Sequence, residues 1–194
     1  MSPRALLLVP LALAAGGAVF ALGPYGELTA RLDPLRPLDE APAATWAEAQ
    51  RLFAALGPEG RELYREHFSW DLVFIAANAA AFLLLLAVPL ARLGAPRWAR
   101  AALLALPLLA AACDVLENVA VARMLAGWED PQETWLAVAG AATRTKLAAN
   151  GLAALAVLGA FGLWGIRSLR SRGENTEPGM FHHSRAPSLP RQER

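Results

Sequence analysis

Asp114, Glu117 and Asn118 fall at i, i+3 and i+4 of an apolar stretch, so on a helix they share one face. Two acids and an amide so placed offer carboxylates for acid–base chemistry, oxygens for a cation, or anchors for a basic neighbour. Thr143, Lys146 and Asn150, at i, i+3 and i+7 of a later apolar stretch, form a complementary stripe. The connection between the stretches centres near Glu129, 15 residues after Asp114 and 17 before Lys146. At 1.5 Å of rise per residue, a helical hairpin brings Asp114 and Lys146 within about 3 Å of the same depth, which predicts that they meet. Asp71 and Asn78 add polar groups to an earlier apolar stretch. These eight residues are the candidates for a ligand or ion site.

The chain's 18 basic residues are 17 arginines and one lysine, and the lysine is Lys146. A lysine holds a compact point charge, whereas arginine needs room for a planar fork. Three readings of the set stand side by side. It is a buried polar lock that fixes helix register, a site for a small ligand, lipid, ion or proton, or an intramembrane lipid-modifying centre with Glu117 or Asp114 as acid or base. No nucleophile with a base, no metal-ligand spacing and no phosphate-binding glycine loop accompanies it, which weighs against an enzyme and calls for no cofactor. The single cysteine, Cys113, forms no internal disulfide, and His182-His183 lack converging partners for a metal. The preferred reading is binding or transport, with the lock as the alternative.

The elements that carry these residues follow from composition. Hydrophobic residues make up 56% of the 194, charged residues 18%, and mean hydropathy is +0.34, which describes a membrane protein. A net charge of +1 leaves no basic excess for nucleic acid, while membrane lipid is an expected partner. Four segments reach the roughly 20 apolar residues a spanning helix needs: 5–22, 72–90, 101–122 and 144–166, the last with its core at 147–166. None alternates with period two, so the expectation is an all-α, four-helix transmembrane bundle in a single domain over 1–166. Pro10 and Pro107 fall within spans and predict kinks rather than breaks.

Between the first two spans lies an external segment, 23–70, with short amphipathic helices. Pro34, Pro37 and Pro42 interrupt its early part. Thr45 with Glu48 is a capping-box pattern that opens a helix ended by Gly57-Pro58, and a second short helix, 59–69, leads toward the second span. The pair reads as a membrane-surface element or a lid. Asp130, Pro131 and Glu133 suit N-cap, N1 and N3 of the fourth helix. Residues 167–194 are polar and read as a disordered cytoplasmic tail.

Arg4, the Arg92, Arg97 and Arg100 connection and the arginine-rich tail place both termini in the cytoplasm. The hairpin 127–133 carries Glu129, Asp130 and Glu133 and falls outside. That puts the polar cluster in the outer half of the bilayer. The external segment's five arginines, offset by eight acids, oppose the assignment only weakly. Arg4, the apolar stretch and Val19-Phe20-Ala21 also fit a cleaved signal peptide, which would leave three spans. On an insertion scale a central Asp or Lys costs about 2.5 to 3.5 kcal/mol and each large aliphatic returns about 0.3 to 0.6, so the third span is marginal alone and needs its partner.

Leu56-Gly57-Pro58-Glu59-Gly60-Arg61 with Tyr64, Asp71, Phe74, Pro107, Asp114-x-x-Glu117-Asn118 and Lys146 together resemble a family of small bacterial integral membrane proteins. That family has four predicted spans and a D-x-x-E-N signature in the third, and the likeness covers roughly 37–166. The resemblance implies residence in the bacterial inner membrane and supplies no chemistry. Ile75 to Asn78 depart from its pattern, where a proline and a tyrosine are expected.

Overall fold

A computed structural model describes residues 3–38 and 40–174, and every regular element among them is helical. A 3-10 turn, Pro3–Leu7, leads into α1, Leu8–Leu22. Then come α2, Tyr25–Leu32; α3, Trp46–Arg92; α4, Arg97–Ala126; and α5, Glu133–Glu174. Four helical stretches, α1 with its preceding turn, α3, α4 and α5, are long and apolar enough to cross a membrane.

Pro10 occupies the first turn of α1, where its missing N–H costs nothing, and α4 runs on through Pro107. The Thr45 half of the capping box forms, its Oγ1 accepting from Glu48 N at 3.3 Å, while Glu48 Oε2 reaches one residue further back than the box requires and accepts from Ala44 N at 2.8 Å. At Gly57 the backbone takes φ 63° and ψ −179°, a conformation essentially reserved for glycine, and α3 kinks there. The arm 46–56 thus lies at an angle to a continuous limb that reaches Arg92 and includes the expected second external helix. The limb ends in a Schellman arrangement, Ala95 N donating to Leu90 O and Gly94 N to Ala91 O, with Gly94 at φ 67°. Arg167 Nη1 donates to Leu93 O at 2.7 Å and ties the far end of α5 to this turn.

Three expectations are corrected here. First, α2 was not foreseen; it closes with an ion pair from Arg31 to Glu27 at 2.8 Å and buries Leu28 and Leu32. Second, Asp130 is not the cap of α5. Its N–H instead donates to Gly127 O at 3.1 Å to close a turn, and the first helical bond runs from Leu136 N to Gln132 O at 3.0 Å. Third, α5 continues through Glu174, so the start of the expected tail is helical. Residues 175–194, including His182 and His183, lie outside the described residues.

The four long helices are not equivalent. α4 and α5 form an extensive antiparallel pair, and α3 packs on both, whereas α1 meets only α3 and α2 among the other described helices. This is a three-helix core with α1 on its flank rather than a symmetric four-helix bundle. The α1 contact is aromatic: Phe20 packs edge-on against Phe74 at 5.2 Å, and Gly16 lies beside the same ring. Gly23 then turns the chain under Trp70, where a Cβ would come within 3.2 Å of the indole.

The largest apolar core lies at the hairpin end of the molecule. Leu28, Leu32, Trp46, Phe53 and Leu56 close there over Val121, Met124 and Leu125. Arg61 stacks on Trp128 at 4.5 Å while its Nη1 donates to Phe53 O, and Gln50 Nε2 reaches the carbonyls of Trp128 and Glu129 at 3.3 Å. The expected helix pair is therefore a cap with its own core, fastened to the α4–α5 hairpin. Below it the helices turn Leu109, Leu147, Leu155 and Leu158 outward.

Candidate functional site

The hairpin delivers Lys146 to both acids of α4. Lys146 Nζ donates to Asp114 Oδ1 at 2.8 Å and to Glu117 Oε2 at 2.5 Å. Thr143, one turn earlier on α5, donates from Oγ1 to Glu117 Oε1 at 2.5 Å and also lies 2.9 Å from Ala139 O. From α4, Asn118 Nδ2 donates to Asp71 Oδ2 on α3 at 2.6 Å. Asp71, Asp114, Glu117, Asn118, Thr143 and Lys146 so form one polar layer joining three helices.

The layer is dry. Glu117 is 1% exposed, Thr143 3%, and Asp114 and Asn118 8% each. Burial on this scale demands partners, and the ammonium between two carboxylates meets that demand. Two of the eight expected residues stay outside the bonded set. Asn78 is half-buried two turns along α3 from Asp71 and joins no hydrogen bond given by the structure. Asn150, a turn beyond Lys146, has its Oδ1 buried without a partner. Arg144, on the far side of α5 from Lys146, is exposed and lies over Gly140. Among the described residues no group of three or more His, Cys, Asp or Glu side chains is arranged to hold a metal.

Beside the layer, between α3 and α4, is a groove of about 250 Å³ that opens sideways. Phe68, Leu72, Val115 and Val119 supply apolar walls, and Ser69 and Asn118 are its polar side chains. Asn118 therefore belongs both to the layer and to the groove. Sequence reasoning missed the groove because its walls are ordinary aliphatic positions. It also missed His67, buried in the cap with its Nδ1 unpartnered and its ring 5.3 Å from that of Tyr25. In each of three helices an exposed arginine stands at the same spacing from the layer: Asp71 to Arg92, Asn118 to Arg97 and Lys146 to Arg167 are each 21 positions apart. At helical rise that is about 31 Å in all three.

No family model matches the chain, and no curated protein or solved structure matches it.

Proposed function

We propose that the chain is a multi-pass protein of the bacterial inner membrane, with both termini cytoplasmic, that binds a membrane lipid in the α3–α4 groove. The groove itself carries this reading. It is apolar, opens to the side where aliphatic side chains face outward, and presents Asn118 from a layer held rigid by Lys146. An amphipathic molecule fits such a wall better than an ion does, because the layer's own partners fill it. The 21-residue spacing agrees with this, since about 31 Å is the thickness of a bilayer's hydrocarbon core. On this reading the arginines stand at the inner boundary and Asp71, Asn118 and Lys146 at the outer one, with the cap beyond in water.

The second reading is the register lock, favoured by the double engagement of Lys146. Native mass spectrometry after extraction from membranes separates the two. Lipid binding predicts an adduct retained by the unaltered protein and lost in Val119→Trp, which fills the groove, at an unchanged unfolding temperature. A lock alone predicts no retained adduct.

A further inference from the structure

The groove has a polarity gradient along its length. On α3, Arg65, Ser69 and Leu72 stand at i, i+4 and i+7 and so follow one another down a single helix face. Ser69 and Leu72 line the groove, and Arg65 lies one turn beyond Ser69 on the cap side. On the opposite wall Arg123 lies one turn beyond Val119. Both arginines are exposed; Arg65 gives Nη1 to Glu62 at 2.6 Å and keeps further N–H groups. From the cap inward, the order is guanidinium, then hydroxyl and amide set among Phe68, Val119 and Ala122, then the aliphatic Leu72 and Val115.

Arg65 is six positions from Asp71 and Arg123 five from Asn118, which puts both about 7 to 9 Å beyond the level of the layer. With the outer hydrocarbon boundary at that level, their backbone positions lie at the outer edge of the headgroup layer, which adds roughly 5 to 7 Å on each side of the ~30 Å core, and their long side chains can reach back to its phosphates. We infer that the groove's ligand is a phospholipid, its phosphate held by Arg65 and Arg123, its ester region beside Ser69 and Asn118, and an acyl chain along Leu72 and Val115. This rests on the lipid-binding reading above and adds the headgroup chemistry to it. Guanidinium suits the assignment because its planar fork matches phosphate oxygens. An acyl chain without a phosphate would leave the remaining N–H groups of Arg65, beyond its bond to Glu62, without a role in binding.

The test compares retention of phosphatidylcholine and of diacylglycerol with the same acyl chains, each added to the full chain in detergent micelles and read by native mass spectrometry. A zwitterionic phospholipid is used so that general attraction of anionic lipid to arginine does not contribute. The expected result is a preference for phosphatidylcholine of at least about tenfold, falling to near parity in Arg65→Gln with Arg123→Gln. Both changes are at exposed positions, and an unchanged unfolding temperature verifies the fold. Equal retention of the two lipids, or a preference that survives the double change, overturns the phosphate assignment. In that event loss of all lipid in Val119→Trp still upholds the groove. Full retention in both Val119→Trp and Ala122→Phe, folded by the same criterion, overturns the groove reading and this assignment with it.

Discussion

Lys146 Nζ lies 2.8 Å from Asp114 Oδ1 across the α4–α5 pair, although 32 positions separate the two residues in the chain. Removing either charge leaves the other buried with an incomplete partner set, so Asp114→Asn or Lys146→Met alone costs on the order of 3 to 5 kcal/mol. The double change costs clearly less than the two added together. Glu117 also accepts from Lys146 and reduces the coupling below that of an isolated pair. A double-mutant cycle on unfolding in lipid nanodiscs measures it, and additivity within about 0.5 kcal/mol would show that the pair does not interact.

Gly57→Ala is expected to destabilise the protein by about 1 to 3 kcal/mol through the backbone alone. The space around the position is open, nothing lying within 4 Å of a Cβ placed there, so no clash contributes. Asparagine gives no relief, because ψ of −179° is outside the left-handed helical basin that it tolerates. Unfolding temperatures of the two variants provide the check; a neutral alanine variant would contradict the kink.

Arg61→Ala loosens the cap without disturbing the long helices beneath it. Losing the stack on Trp128 and the bond to Phe53 O removes about 1 to 2 kcal/mol of local stability. Hydrogen exchange should accelerate in residues 46–56 and stay unchanged in 72–90. Uniform acceleration, or none, would mean that the stack is not what fastens the arm.

The proposed orientation is testable with single cysteines in a Cys113→Ala background. On intact cells an impermeant thiol reagent should label Glu129→Cys and leave Arg97→Cys unlabelled until the membrane is opened. The reverse pattern would invert the topology.

How much of this was legible beforehand differs between the elements. The Asp114–Lys146 contact was readable because both residues lie on long regular helices joined by a short hairpin, so rise per residue alone fixes their relative depth. Thr143 and Asn118 followed by helical spacing. Asn78 and Asn150 have the right period but not the right neighbour, and which residue faces across depends on helix rotation, which spacing leaves free. The cap's core was harder to read. Leu28 and Leu32 are an unremarkable apolar pair until Trp46 and Phe53 close over the same ends of α4 and α5. The flanking place of α1 had no sequence signal, because an outward apolar face and an inward one are composed alike in a membrane helix.

The docking of the arm, residues 46–56, on the α4–α5 hairpin also sets an order of assembly. Gln50 is bonded to the carbonyls of Trp128 and Glu129, 78 and 79 positions later in the chain. The arm therefore leaves the ribosome before its docking surface has been made. While α4 and α5 are still being synthesised, Trp46, Phe53 and Leu56 have only the earlier part of their core, Leu28 and Leu32 among it, and lack the hairpin surface that completes it. Docking of the arm is thus a late step that only a finished hairpin permits, and a protease that cuts at residues 46–56 would report on chains whose last two helices have not yet come together.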